Sequence, residues 1–315
     1  MSLSPSHRNR VAGGALALLL VTGLGVAVAG TAGGSASVPH QDGGRPRVVV
    51  DDGALPWPAG GQTAVVLEGS GPVGTRGDGR PVPIASLTKV MTAHVILEEH
   101  PLKPGESGPL IEVDQQAAYE VGVGGESTVP LQAGRRYSQR QLLELLLIPS
   151  GNNVARLLAR WDAGSQEAFV EKMRRAAARL GMNHSTYTGA SGIEATTTST
   201  ATDQLALARK AMRNAVFRDI VATRSVTVPG VGTITNTNPL LDTPGVVGIK
   251  TGSSTPAGGN LLWACEVRVG GTTRLLVGAV LHQRADTTPA EGLREAVDGS
   301  RRLITGLRDS LTREG

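Results

Sequence analysis

Pro83-Ile84-Ala85-Ser86-Leu87-Thr88-Lys89 opens the segment that decides how this chain is built. After Ser86, the residues Leu87, Val90, Met91, His94, Val95 and Leu97 recur at helical spacing. Ser86 therefore stands at or just inside a helix N-terminus, where free backbone N–H groups and the helix dipole favour negative charge. Lys89 follows three residues on, one turn along the same face. A serine hydroxyl becomes a nucleophile at neutral pH only if a neighbour takes its proton, and a lysine so placed is a candidate base. Alone, the tetrapeptide would be no more than an N-cap.

Outward from that segment, the patterning between about 100 and 220 is mainly helical. Ser138 and Gln141 form a capping box ahead of Leu142, Leu143, Leu146 and Leu147. That helix stops at Pro149 and leaves Ser150-Gly151-Asn152 in a tight turn before the apolar run at 154–161. Ser165 begins another helix that closes at Gly181, and one more starts near Thr200 and runs to about Asn214. From 224 onward the period changes to β. Residues 225–228, 246–251, 260–269 and 272–282 read as strands, the last two joined by Gly270-Gly271. An early strand is expected at 63–67, with glycine-rich turns after it, and a closing helix from 289 to about 308. The expected class is α+β, a sheet of chain-distant strands with a helical insertion at about 100–220.

Two further motifs fall in this frame. Ser150-Gly151-Asn152 lies in a helix-to-helix turn, and Lys250-Thr251-Gly252 lies in a strand, placing a cation and a hydroxyl where they could hold a carboxylate. Only five of the 31 basic residues are lysines, and two of those five are Lys89 and Lys250. An arginine cannot serve as a neutral base, so the choice of lysine at these positions points to chemistry.

In their order and context the three motifs resemble the penicillin-binding protein and serine β-lactamase superfamily. Within it, 83–89 and Ile249-Lys250-Thr251-Gly252-Ser253-Ser254-Thr255-Pro256-Ala257-Gly258 are similar to the low-molecular-mass serine D-Ala-D-Ala carboxypeptidases. The resemblance covers roughly 60–308. It implies a β-lactamase/transpeptidase-like fold: an antiparallel sheet of about five strands, flanked by N- and C-terminal helices, with an all-helical insertion. It also implies that Ser86 is acylated, that Lys89 removes its proton and that Ser150 relays a proton to the leaving D-alanine. Asn152 would hold a peptide amide and orient Lys89, while Lys250 and Thr251 bind the terminal carboxylate. Gly252 would let the substrate backbone approach, and the amides of Ser86 and Ser253 would form an oxyanion hole. The implied partners are a peptidoglycan pentapeptide as substrate and β-lactams as covalent inhibitors, with no cofactor and no metal.

Two departures narrow the expectation. The chain ends soon after its last helix, so no C-terminal β-domain is expected after a catalytic domain at 61–310. No Glu-x-x-Leu-Asn lies between the second and third motifs, and Glu194 reads as an isolated loop carboxylate, so β-lactams should acylate Ser86 and leave slowly. A β-lactamase or DD-endopeptidase of the same superfamily, or a non-catalytic penicillin-binding sensor, are the alternatives. A Ser-His-Asp hydrolase is disfavoured because no Gly-x-Ser-x-Gly elbow exists.

Composition closes off other classes. The net charge of +4 is diffuse and aromatics make up 3%, so there is no basic stripe with interleaved aromatics for nucleic acid. The single cysteine, Cys265, excludes an intramolecular disulfide, and its apolar run marks it as a core residue. His7, Arg8 and Arg10 precede an uncharged stretch at 11–34, read as a signal peptide or N-terminal membrane anchor, with 35–60 as a Gly/Pro-rich linker. Either outcome places the rest outside the cytoplasm, in the cell envelope.

Overall fold

Alternation of β-branched and small residues drives the sheet, and helices cover both of its faces. The computed structural model describes residues 52–313, so the stretch at 11–34 and most of the expected linker lie outside the described residues. A 3-10 turn, Asp52–Ala54, leads to β1 (Gln62–Leu67) and β2 (Gly71–Arg76), and β3 (Val82–Pro83) follows. Helix α1 (Thr88–Glu99) comes next, then β4 (Leu110–Glu112), α2 (Gln115–Tyr119), β5 (Arg136–Ser138), α3 (Gln139–Leu147), α4 (Asn152–Ala163) and α5 (Gln166–Arg179). After β6 (Thr198–Ser199), α6 (Ala201–Ala211) and α7 (Ala215–Ala222) complete the insertion. Strands β7 (Ser225–Val228), β8 (Gly232–Thr235), β9 (Val246–Ser254), β10 (Gly258–Val269) and β11 (Thr272–Gln283) lead to the final helix, α8 (Pro289–Arg313).

The main sheet has five strands in the order β2-β1-β11-β10-β9, every neighbouring pair antiparallel. The expected five-stranded antiparallel sheet is therefore present, with β9 at its edge. Within the insertion β4 pairs with β5, and β6 reaches back to pair with β3 ahead of α1.

Period-two alternation splits the core in two. Ala64, Val66, Leu262, Ala264, Val277, Ala279 and Leu281 face the helical insertion. Val65, Leu67, Leu261, Trp263, Cys265 and Val280 face the other way, against Ala296, Val297, Leu303, Ile304, Leu307 and Leu311 on α8. Gly278 sits opposite Trp263 in the β10–β11 register, and a Cβ there would lie 2.1 Å from the indole, so the large ring fills the space a side chain would take. Cys265 is buried in this second core, and burial pushes its thiol up to about 11. It is a packing residue.

Ser138 and Gln141 make the expected capping box, and Gly270 and Gly271 turn the β10–β11 hairpin with φ of +53° and +76°. Three elements depart from the sequence pattern. Strand β2, read as glycine-rich turns, pairs through its backbone along β1 although it offers few β-formers. Helix α7 begins where the preceding helix was expected to end, with Asn214 capping it by accepting from Phe217 N. Its Val216, Phe217, Ile220 and Val221 are apolar on the buried side, and tertiary packing overrides their weak helix propensity. The end of the expected linker also packs. Leu55 joins the second core, and Pro56 and Pro58 cover Gly306 and Gly299 on α8. A proline-rich segment has no period to read, yet it buries apolar surface.

Helix α1 is buried on all sides from Thr88 to Leu97, with α3, α4, α5 and α6 packed around it. Hydrophobic residues around its whole circumference demand that position. It carries Lys89 to the centre of the molecule.

Candidate active site

Ser86 lies in a 3-10 turn, Ala85–Leu87, that runs directly into α1 at Thr88. Ala85 has φ of +47°, outside the usual range for a residue with a side chain, and the turn is held by Leu87 N donating to Ile84 O and Thr88 Oγ1 donating to Ala85 O. The turn leaves Ser86 partly exposed while Ala85 and Leu87 are buried.

Lys89, one turn on, is fully buried. Its Nζ lies 2.9 Å from Ser86 Oγ, 2.6 Å from Asn152 Oδ1 and 2.7 Å from the Ser191 carbonyl oxygen. When the amine is neutral, its two N–H groups donate to Asn152 and Ser191, and the lone pair is left for the Ser86 hydroxyl. Burial first, then the charges of Lys250 and Arg156, hold its pKa well below the ordinary lysine value, against the opposite pull of Glu126 and Glu194. A neutral base at working pH is thereby accessible.

Asn152 reaches Lys89 as the first residue of α4. Ser150, two residues earlier, has φ of +67°, and its Oγ is buried with no hydrogen-bond partner among the described residues. Lys250 lies in β9, 1% exposed, and its Nζ also has no hydrogen-bond partner among the described residues. Burial pulls its pKa down to about 7. A buried hydroxyl and a buried amine, both unpaired, are costly unless a ligand completes them. Thr251 Oγ1 shares a 2.8 Å hydrogen bond with Thr237 Oγ1.

Gly252 stands on β9 beside Ser86. A Cβ there would lie 2.9 Å from Leu87 N, 3.0 Å from Ser86 N and 3.0 Å from Ile84 O, so the close approach is made by the chain's own serine turn. Ser253 follows in the same strand, in register with Gly259. Gly252→Ala is expected to push the turn off β9 and lower the acylation rate of Ser86 roughly 100-fold, as an ångström-scale misplacement does. Stopped-flow acylation with a chromogenic β-lactam measures it; a change under threefold would show that the turn yields freely.

The three motifs thus meet around one point. Sequence reading missed Ser191, whose carbonyl accepts a hydrogen bond from Lys89, and Gly192, where a Cβ would lie 2.0 Å from Ala85 O. It also missed Thr237 and the Glu126–Asn152 hydrogen bond of 2.9 Å. Only the Ser-Gly pair at 191–192 carried a signal, a positive-φ glycine in a polar loop. Glu194, in the same loop, acts on Lys89 through its charge.

The solved Streptomyces K15 DD-transpeptidase matches with a TM-score of 0.67 at 28% identity, over 77% of this chain and 94% of that one. Sheet, insertion and site together define the penicillin-binding protein and β-lactamase fold. A D-alanyl-D-alanine carboxypeptidase of Streptomyces sp. (strain K15) is 34% identical over 62% of this chain and 71% of its own length. The D-alanyl-D-alanine carboxypeptidase DacB2 of Mycobacterium tuberculosis is 34% identical over 65% of this chain and 70% of its own. The D-alanyl-D-alanine carboxypeptidase family model matches residues 62–275, and the chain belongs to that family of serine peptidases.

Proposed function

We propose that this protein is a D-Ala-D-Ala carboxypeptidase that removes the terminal D-alanine from peptidoglycan stem peptides through an acyl-enzyme on Ser86. The observation that carries the reading is the 2.9 Å approach of Lys89 Nζ to Ser86 Oγ, with the lysine's other two contacts filled by Asn152 and Ser191.

Neutral Lys89 takes the Ser86 proton as Oγ bonds to the carbonyl carbon of the D-Ala-D-Ala peptide. The Ser86 and Ser253 amides receive the oxyanion, a contribution of about 3 kcal/mol per donor. Breakage of the C–N bond sends the proton through Ser150 to the departing amine, which leaves as D-alanine. Water then hydrolyses the ester, frees the shortened peptide as a carboxylate and restores the Ser86 hydroxyl. Charged Lys250 and the Thr251 hydroxyl hold the terminal carboxylate, which completes the unpaired Lys250 Nζ. The peptide lies along the free edge of β9 as an added strand. A β-lactam presents the same amide and carboxylate in a ring, acylates Ser86 and leaves slowly.

The basic residues before the uncharged stretch at 11–34 support a place outside the cytoplasm, in the cell envelope, either secreted or anchored by the N-terminus. No helix among the described residues is long and apolar enough to cross a membrane.

Incubation with a pentapeptide ending in D-Ala-D-Ala should release free D-alanine. Absence of release, with normal covalent labelling by penicillin, would replace this reading by a penicillin-binding sensor. A second reading is acyl transfer to an amine, favoured by the similarity to the solved Streptomyces K15 DD-transpeptidase. Adding glycine as acceptor separates the two, since transfer yields a glycine-terminated peptide.

A further inference from the structure

Asn152 is held from both ends. Its Oδ1 accepts from Lys89 Nζ at 2.6 Å, and its Nδ2 donates to Glu126 Oε2 at 2.9 Å. The same Glu126 oxygen accepts from Arg156 Nη2 at 3.0 Å, and Arg156 Nε donates to Glu120 Oε2 at 2.8 Å. Gln116 Nε2 closes the chain on Glu120 Oε1 at 3.1 Å. Arg156 stands one turn after Asn152 on α4, which puts both on one face. The side chains of Glu120, Arg156 and Glu126 are only 11%, 14% and 20% exposed, so solvent screens them weakly.

A carboxamide has two ends of nearly equal shape. A carboxylate beside one end decides between them, because a flipped Asn152 would set its carbonyl oxygen against Glu126 and turn its NH₂ toward Lys89. The carboxylate has a second effect, since an uncompensated negative charge would hold the proton on Lys89. Arg156 supplies the compensation.

We propose that Glu126 and Arg156 are a positioning pair: Glu126 fixes the Asn152 amide so that its carbonyl faces Lys89, and Arg156 offsets that charge so that Lys89 can release its proton. The proposal rests on the reading of Lys89 as the base for Ser86. Four charged groups act on Lys89. Lys250 from β9 and Arg156 from α4 oppose its protonation, whereas Glu126 from the loop before β5 and Glu194 from the loop after Gly192 favour it. Removing the Glu126 charge therefore moves the Lys89 titration to lower pH, and removing the Arg156 charge moves it to higher pH.

Two readouts on the full chain test this. With only five lysines, ¹³Cε-lysine NMR resolves the Lys89 titration directly, without reference to turnover. The pH dependence of Ser86 labelling by a fluorescent penicillin reports the same group as its acid limb. Both should shift to lower pH in Glu126→Gln, to higher pH in Arg156→Gln, and back toward wild type in the double variant, in which Glu120 keeps its Gln116 hydrogen bond and Arg160 at 3.9 Å. Glu126→Ala should lower the plateau labelling rate roughly tenfold through loss of the acceptor, and Glu126→Gln should restore most of it. A Lys89 titration unmoved by either charge change, or moved in one direction by both, overturns the proposal. A wild type whose Lys89 titrates as described but whose Ser86 fails to label overturns the carboxypeptidase reading instead.

Discussion

Replacing Lys250 by methionine is expected to make the protein more stable and nearly inactive. Lys250 Nζ is buried and has no hydrogen-bond partner among the described residues, so its removal orphans no donor or acceptor there. Burial pulls its pKa from 10.5 to about 7, which places a cost on the native state. Below pH 7 the lysine is protonated in both states and the full cost of a buried ammonium is present. Between 7 and 10.5 the native state sheds its proton while the unfolded state keeps it, so wild-type stability rises across that window. At roughly 1.4 kcal/mol per pH unit the drop from 10.5 to about 7 bounds the cost near 5 kcal/mol. A methionine of similar shape removes that cost. The melting temperature at pH 6.5 should rise by about 5 °C or more, and the increase in stability between pH 7 and 10 should flatten. The substrate carboxylate loses its buried cation at the same time, so kcat/KM should fall by roughly 100-fold or more. Unchanged stability, or a variant that still turns over D-Ala-D-Ala within threefold of wild type, would remove Lys250 from this role.

Replacing Lys89 by methionine should lower the acylation rate of Ser86 by about 10³-fold, the scale of a positioned general base. Lys89→Arg should lose as much, because a guanidinium keeps its proton at every accessible pH. The pair of variants separates basicity from charge and bulk: the methionine removes both charge and base, and the arginine removes the base alone. The wild-type acid limb should rise as Lys89 loses its proton, and neither variant should show it. The rate of covalent labelling by a fluorescent penicillin reads the effect, and labelling by Lys89→Arg within tenfold of wild type would assign the proton to another group.

Much of the fold was legible because local rules and global packing agree. The Ser138 capping box, the Gly270-Gly271 turn and the alternation in β10 and β11 are written in adjacent residues, and each element forms where those residues direct. Strand β2 and helix α7 were hidden for opposite reasons. Strand β2 pairs through its backbone and needs few β-formers, whereas α7 is built of residues with strand preference that packing holds as a helix. The site was legible as three motifs, since Ser86 and Lys89 lie within one helical turn.

By itself, the sequence determined the candidate groups: a serine, two lysines, a second serine and an asparagine, each on an element whose pattern is local. Only the tertiary structure decided their state. Lys89 meets Asn152 and Ser191 across 63 and 102 residues, Gly252 abuts the serine turn, Lys250 loses its water, and Glu126 with Arg156 surrounds the amide between them. A pKa is set by burial and by charges acting through space, and neither quantity follows the order of the chain.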